Sequence, residues 1–401
     1  MRTDPDQIRH AWRFPPCPAY DVEGTESWLS DMAAQGLVLG KDGFFAGFAI
    51  FERREPAAMR YRLSAASKSA GLFSPDDGAP DEQEVALNQA YGWAYVATRG
   101  DFHIYAASGD AVELHTDPVV QAMALKCVEK RMRGGLIWLI LWLAIYPLCC
   151  VWGGFLQGMI ETGTWFYLLG ALLVLSALGT EIAQLRYMHG LRRRLRDGQQ
   201  PNHQKDWRAA RGRFQAEGIG FVLLALVWFG ARIHLWNDAV MEVGRVDLAQ
   251  YDQPIPFATM ADFASGSVYT AEKGMTYSNK IWVKSDILAP VAIEFDQAGS
   301  LRLPDGQTVS GGLDVRYYQT ASPWLAKVLA QELARRDWHS NQKRYQPLDL
   351  PQLTAQQAYG YAALFPTVVL QKGDRVLRAT FYQTGAQIPY AQWVQALDAG
   401  L

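Results

Sequence analysis

An uncharged run in the middle of the chain constrains the fold most. From Gly134 to Gly158 there is no charged side chain in 25 consecutive residues. A helix that crosses a bilayer core of roughly 30 Å needs about 20 apolar residues, since each adds about 1.5 Å. The run therefore predicts a transmembrane helix over about residues 135–157. Pro147 lies inside it and is tolerated in such helices, with a kink.

Two further apolar runs follow. Residues 162–180 are uncharged and begin with aromatic side chains such as Trp165, which suit the membrane interface, so a second span is predicted over 162–181. The third run, 218–236, is interrupted near its end by Arg232 and His234, both of which can reach the interface. It predicts a third span, with an amphipathic surface helix as the alternative.

The distribution of Lys and Arg predicts the orientation. No Lys or Arg occurs between Arg133 and Arg186, whereas residues 186–213 are densely basic. Positively charged short loops stay in the cytosol, so 186–213 is predicted to be a cytosolic loop against anionic headgroups of the lipid bilayer. The lipid-facing residues proposed for this loop are Arg192, Arg193, Arg194 and Arg196.

The start of the chain carries charges and lacks the apolar stretch of a secretory signal. Three crossings from a cytosolic N-terminus predict a multi-pass protein of the cell membrane with an extracytoplasmic C-terminus. Adjacent cysteines Cys149 and Cys150 lie within the first apolar run, where small membrane-compatible side chains are the simplest interpretation.

The near-neutral net charge of −2 conceals an acidic front section. Residues 1–125 hold 18 acidic and 10 basic side chains. An acidic domain repels phosphate backbones, which disfavours a nucleic-acid partner. The basic loop is the alternative site for nucleic acid, but no aromatic or folded reading surface accompanies it.

The front section, 1–125, reads as an α+β domain. Asp21 is placed to cap a helix from Val22 to Gln35 that Gly36 closes. The order βαββαβ, with one extra strand, predicts a ferredoxin-like sandwich. The other predicted elements are strands over 8–14, 44–53 and 59–65, a helix over 81–90, and strands over 93–98 and 102–106.

Several motifs of this section resemble the bacterial domain-of-unknown-function family 2812. The stretch from Pro18 to Leu37 is similar to the family's opening signature, and shorter matches follow at Phe51-Glu52, Arg60–Leu63, Tyr91–Trp93 and His115–Pro118. The resemblance covers about the first third of the chain. It implies a bacterial protein joined to membrane spans and often encoded beside PadR-type transcription regulators. It supplies no catalytic residues.

Residues 237–265 are predicted to be a juxtamembrane linker, and 266–401 an extracytoplasmic α+β domain. Alternating apolar residues predict a hairpin of 367–371 and 375–382 around the turn at Lys372-Gly373-Asp374. The remaining predicted elements are strands over 280–284, 291–296 and 313–319 and helices over 323–335 and 390–399.

Candidate site residues are sparse. Glu23, Glu26 and Asp31 are a candidate surface for a basic partner or a cation, with a solvated helix face as the simpler interpretation. His103 and His115, near Asp101 and Asp117, could bind a metal, but strand-edge and helix-cap positions explain them better. Catalytic residue types also occur in a row at 337–340, where a helix end with polar caps is the simpler interpretation. No catalytic, metal or cofactor residue is therefore predicted.

These features favour a membrane-anchored sensor, regulatory or scaffold protein of the bacterial cell envelope, without catalysis and with a protein partner. Two folded domains are joined by fewer spans and fewer intramembrane polar groups than a transporter usually has. An envelope enzyme or enzyme subunit with its site in the C-terminal domain is one alternative. An accessory subunit of a larger membrane complex is another.

Overall fold

The computed structural model describes residues 10–69, 78–114, 117–272, 278–335, 345–361 and 365–401. It is a mixed α+β protein, as predicted, with long helices and antiparallel sheets. The chain divides into two compact units. Unit 1 comprises Met1–Trp142 and Leu172–Leu226, and unit 2 comprises Leu143–Ala171 and Val227–Leu401.

The front domain begins unit 1, and its first helix, α1, is the best-defined local prediction. The Asp21 side chain accepts a hydrogen bond from the Gly24 amide, and Gly36 follows the helix with φ +81°, so both predicted ends are confirmed. The elements are β1 (His10–Arg13), α1 (Val22–Ala34), β2 (Leu37–Phe45), β3 (Phe48–Arg53), β4 (Met59–Ala65), α2 (Glu82–Ala90), β5 (Ala94–Arg99) and β6 (Phe102–Ser108).

The strand pairing of the front domain differs from a ferredoxin-like sandwich. Its strands form two antiparallel three-stranded sheets, ordered β1-β3-β2 and β4-β6-β5. One predicted strand is in fact a hairpin: β2 and β3 flank Ala46 and Gly47, which have φ +49° and +84°. Two positive φ values in a two-residue loop match the strand twist. Ala-Gly is a weaker signal than Asn-Gly, so the turn was missed.

Unit 1 has one apolar core that joins the front domain to helices. Trp28 of α1 packs edge-on against Phe51 of β3 with ring centroids 5.5 Å apart. Met188, Leu191 and Trp207, from much later in the chain, belong to the same cluster of buried residues. The front domain is therefore completed by residues that follow the second apolar run.

Four helices carry the apolar middle of the chain. Gly154 and Gly163, with φ +88° and +106°, separate the first three of them. Such φ values strain any residue with a Cβ, so glycine sets these breaks. The helices are α3 (Pro118–Gly153), α4 (Phe155–Thr162), α5 (Thr164–Arg196) and α6 (Arg208–Val240).

Two of these helices are long and apolar enough to cross a membrane, among the residues described. They are Thr164–Arg196 and Arg211–Asp238. In the most apolar 18-residue stretch of each helix, only 6% and 0% of the residues are buried within the protein. Water does not favour so much exposed apolar surface, so both helices support a membrane protein. Arg186 to Arg196 are helical, so the connection between α5 and α6 is shorter than the predicted loop 186–213.

Unit 2 is built on an antiparallel sheet of nine strands within the described ranges. Its order is β12-β13-β14-β15-β11-β10-β9-β7, with β8 paired to β10. The predicted strands, both predicted helices and the hairpin are all found. The elements are β7 (Arg245–Asp247), β8 (Val268–Ala271), β9 (Lys280–Lys284), β10 (Val291–Arg302), β11 (Thr308–Gln319), α7 (Pro323–Arg335), β12 (Gln346–Pro347), β13 (Gln357–Tyr361), β14 (Thr367–Lys372), β15 (Arg375–Gly385) and α8 (Tyr390–Gly400).

Helices α8 and α7 pack on the two faces of this sheet. Trp393 of α8 lies in one core with Phe381, and Leu329 of α7 lies in another with Val376. Residues 237–265, predicted to be a linker, contribute strand β7 and buried side chains including Phe257 and Phe263. This segment is therefore part of the folded unit.

Candidate functional site

The acidic residues of α1 are paired with basic residues of their own chain. Glu23 and Glu26 are only 3% and 1% exposed, so they do not form the solvated face predicted for them. A buried carboxylate is costly unless it is paired and hydrogen-bonded. The chain between the end of α5 and the start of α6 supplies the partners.

Each buried glutamate uses both carboxylate oxygens. Glu23 accepts from the Arg194 guanidinium at 3.0 Å and from the Asn202 amide at 2.9 Å. Glu26 lies 2.5 Å from Nδ1 of His203 and accepts the Leu63 amide of β4 at 2.7 Å.

The two ends of α1 are held in the same way. At the N-terminus Asp21 accepts from Lys205 Nζ at 2.8 Å and from the Tyr187 hydroxyl at 2.9 Å.

Asp31, near the other end of α1, accepts from Trp207 Nε1 and from Arg208, both at 3.0 Å. We call the whole set the carboxylate clamp. It consists of Asp21, Glu23, Glu26 and Asp31 of the front domain with Arg194, His203, Lys205, Trp207 and Arg208.

The basic residues predicted to face lipid divide into two groups. Arg192 is buried and pairs with Glu129 of α3, and its Nε donates to the Ala122 carbonyl at 3.1 Å. Arg194 belongs to the carboxylate clamp. Arg193 and Arg196 are exposed. A high density of Arg in the sequence does not show which arginines are paired within the protein and which are exposed, because successive residues of a helix point in different directions.

In unit 2, carboxylates of the part of the chain after residue 240, which carries the nine-stranded sheet and is called the rear domain, cap helices of the apolar region. Glu332 of α7 accepts the Leu156 and Gln157 amides at the start of α4, at 3.0 and 2.8 Å. Asp286 accepts the amide and the hydroxyl of Thr164 at the start of α5, at 2.7 and 2.6 Å. Anionic groups at a helix N-terminus satisfy free amides and are stabilised by the helix dipole.

A further contact involves Glu161, the acidic residue between the first two apolar runs. Its carboxylate accepts the Tyr318 hydroxyl at 2.7 Å. Ile160 beside it lies in the same buried cluster as Leu329 and Leu333 of α7. The short helix α4 is thus bound to the rear domain through polar and apolar contacts.

The rear sheet also carries a charged face that sequence reading did not identify. Asp296 of β10 lies directly opposite Asp314 of β11. Burial, and then the charge and hydrogen bond of Asp314, raise the pKa of Asp296 to about 7. One row away, Glu294 pairs with Arg316 at 2.6 Å and with Lys284 at 3.2 Å. The sequence shows one Asp on each of these two strands. It does not show that they face each other, because the register between the strands is set by the tertiary fold.

Cavities among the described residues lie elsewhere. One of about 330 Å³ is lined by Leu63, Asp117, Leu125 and neighbouring residues of unit 1. Another, of about 500 Å³, is lined by Phe257, Asp262, Arg375 and neighbouring residues of unit 2. Neither contains the Asp296–Asp314 pair.

The remaining sequence candidates do not converge. His103 is buried in the front domain with Nδ1 3.1 Å from the Thr98 hydroxyl, and Asp101 pairs with Arg131. His115 and residues 337–340 fall outside the described residues. Within those ranges no three or more His, Cys, Asp or Glu side chains are grouped so as to hold a metal ion.

The front of the chain matches a known family. Residues 21–137 match the model of the family described as "Protein of unknown function (DUF2812)". No curated protein and no solved structure matches the chain. The match confirms the resemblance inferred from the opening signature.

The DUF2812 segment contains the four carboxylates of the carboxylate clamp, whereas the basic partners from Arg194 to Arg208 lie beyond it. These four carboxylates are therefore paired with a part of the chain that the family match does not cover.

Proposed function

We propose that this chain is a membrane-anchored sensor, regulatory or scaffold protein of the bacterial cell envelope, in which the DUF2812 segment responds to the position of the helices. One observation carries the proposal: the buried carboxylates at α1 depend on Arg194 and Lys205 for counter-charges and on His203 for a hydrogen bond. A shift of α5 or α6 would unpair these groups, so the front domain is sensitive to helix movement.

The rear domain is the proposed input. Glu332 and Asp286 bind the starts of α4 and α5, so a ligand that changes the rear domain would pull on α5 directly. The far end of α5 carries Arg194. Because α5 is a rigid helix with a carboxylate partner at each end, a displacement at one end would be transmitted to the other.

The proposed topology has three crossings, with the front domain in the cytosol and the rear domain outside. Support comes from the Lys and Arg distribution and from chain connectivity, because α3, α5 and α6 each pass from one unit into the other. The exposed Arg193 and Arg196 are the proposed contacts with anionic headgroups.

The topology is tested with accessibility probes at residues 60, 160, 200 and 390 in intact cells. Probes at 60 and 200 should report the cytosol, and probes at 160 and 390 the outside. If probes near Tyr20 and near Gln387 are accessible from the same side of the membrane, the result would contradict the proposal.

Coupling is tested on the full-length protein in lipid nanodiscs by hydrogen exchange. Asp286→Asn removes a charged cap of α5 and should change amide protection in α1 and β4 of the front domain. Asp252→Asn, an exposed carboxylate of the same unit, is the matched control. Changes confined to the rear domain and residues 155–164 would contradict the coupling.

A protein partner for the front domain is part of the proposal. Cross-linking in cells followed by purification should recover a cytosolic or membrane partner from the wild-type chain. If no partner is cross-linked to the front domain, the result would contradict regulation through contact with a partner protein.

An envelope enzyme is the second candidate, favoured by the Asp296–Asp314 pair. Two facing carboxylates with one raised pKa are suited to general acid–base chemistry. Turnover of envelope extracts by the wild-type protein that is lost in both Asp296→Asn and Asp314→Asn would support this candidate. Equal product profiles with and without the protein would count against it.

A further inference from the structure

The outer face of the first front sheet carries exposed aromatic side chains. Trp12, Phe14, Phe45 and Phe48 are between 40% and 51% exposed. Trp12 lies opposite Ile50, and Phe45 opposite Phe48, so the residues of each pair share a face of the sheet. We call Trp12, Phe14, Phe45 and Phe48 the aromatic face.

The members of the aromatic face contact one another. The Trp12 ring lies 6.5 Å from Phe45 and 6.1 Å from Phe48, and Phe14 lies 5.8 Å from Phe48. Side chains of the opposite face, such as Ala11 and Phe51, fill the core of the unit. The aromatic face is therefore a contiguous apolar surface that is not part of the core of the unit. Contiguous exposed apolar surfaces mark interaction sites.

Helix α6 fixes where this face lies along the apolar region. Phe14 stacks on Phe214 of α6 with ring centroids 6.2 Å apart and planes at 21°. Phe214 precedes Gly218, the start of the third apolar run, by four residues, or about 6 Å of helix. The polar layer on each side of the bilayer core is about 5–7 Å deep. Phe214 and the aromatic face thus fall at the depth of the headgroups.

Charges around the face match the same environment. Arg211 of α6 is exposed about one helical turn before Phe214, and Arg13, next to Phe14 in the chain, is exposed too. Aromatic rings with adjacent cations are typical of protein surfaces at an anionic membrane interface.

We propose that the aromatic face docks into the headgroup layer of the cytosolic leaflet and binds anionic phospholipid. This inference rests on the membrane placement of α6 in the proposed function. It gives the front domain a lipid contact separate from the Arg-rich end of α5.

The test uses the full-length protein in nanodiscs of phosphatidylcholine and phosphatidylglycerol. The photo-reactive residue p-benzoyl-phenylalanine replaces Trp12 in one variant and Phe48 in another, exchanges between aromatic residues that preserve the face. After illumination, mass spectrometry identifies what is joined to each position. Lipid adducts at both positions are the expected result.

Two control positions separate the possible failures. Leu87 of α2 is 60% exposed but lies outside the face, and should give no lipid adduct; Leu226 of α6 is 63% exposed within the apolar run and should give one. Lipid adducts at Leu226 but not at Trp12 or Phe48 would overturn the docking and leave the membrane placement intact. Adducts joining two chains at Trp12 or Phe48 would also overturn it. No lipid adduct at Leu226 would overturn the membrane placement and the docking together.

Discussion

Glu26 is the residue whose replacement tests the carboxylate clamp most directly. It is almost fully buried, and its two oxygens serve different elements: one accepts the Leu63 amide of β4 and the other contacts His203. Glu26→Ala removes both contacts. Glu26→Gln keeps the shape and can still accept from Leu63, but loses the negative charge.

The size of the effect follows from these contacts. A buried amide left without an acceptor costs about 1–3 kcal/mol, and a hydrogen bond to a charged group contributes about 1.5–3 kcal/mol. His203 is partly exposed, so water restores some of its loss. We expect Glu26→Ala to lower the free energy of unfolding of unit 1 by about 3 kcal/mol and Glu26→Gln by about 1 kcal/mol. For a unit of this size, 3 kcal/mol lowers Tm by about 6–12 °C.

Thermal unfolding of the full-length protein in nanodiscs measures this change, and hydrogen exchange at the Leu63 amide reports it locally. Glu55→Ala, at an exposed loop carboxylate, is the control and should shift stability by less than about 0.5 kcal/mol. A double-mutant cycle with His203→Ala should give a coupling energy of about 1 kcal/mol or more. Equal stability of Glu26→Ala and Glu55→Ala, or a coupling near zero, would refute the reasoning.

Three further predictions concern unit 2. The pKa of Asp296 is raised to about 7 by burial and by Asp314, so its contribution to stability is present at low pH and is lost as the pH rises from about 4 to about 7; Asp296→Asn should flatten that decline in thermal unfolding. Glu332→Ala leaves two α4 amides without their acceptor and should cost about 1–2 kcal/mol, with faster exchange of these amides; unchanged exchange would contradict the capping. Gly163→Ala forces a Cβ into a φ of +106° and to 2.8 Å from the Trp165 ring, so the thermal transition should fall by at least the equivalent of about 1 kcal/mol; an unchanged transition would show that the break between α4 and α5 tolerates a side chain.

Local signals in the sequence were sufficient for many elements. The Asp21 cap and Gly36 bounded α1, and the Lys372-Gly373-Asp374 turn located the β14–β15 hairpin. These features depend on residues close together in the chain, where propensity and turn chemistry act directly. Strand pairing does not, and the two separate front sheets were not foreseen.

The sequence predicted the acidic and the basic residues of the carboxylate clamp as separate groups, but not that they pair with each other. Glu23, Glu26 and Asp31 were identified as a group, and so were the arginines after residue 186, but each set was assigned to an external partner. A charge pattern shows that counter-charges are needed and does not show where they come from. Glu23 and Arg194 are 171 residues apart, and no local rule connects them.

The amino-acid sequence alone determined that the chain has an intensely apolar middle between two α+β domains, because hydrophobic runs and charge density are additive local properties. It also determined which residues carry charge. Only the tertiary structure decided that the acidic helix and the basic segment neutralise each other, and that Asp296 and Asp314 face one another across two strands. The physical reason is that burial and register change the energy of a charged group far more than its sequence neighbours do.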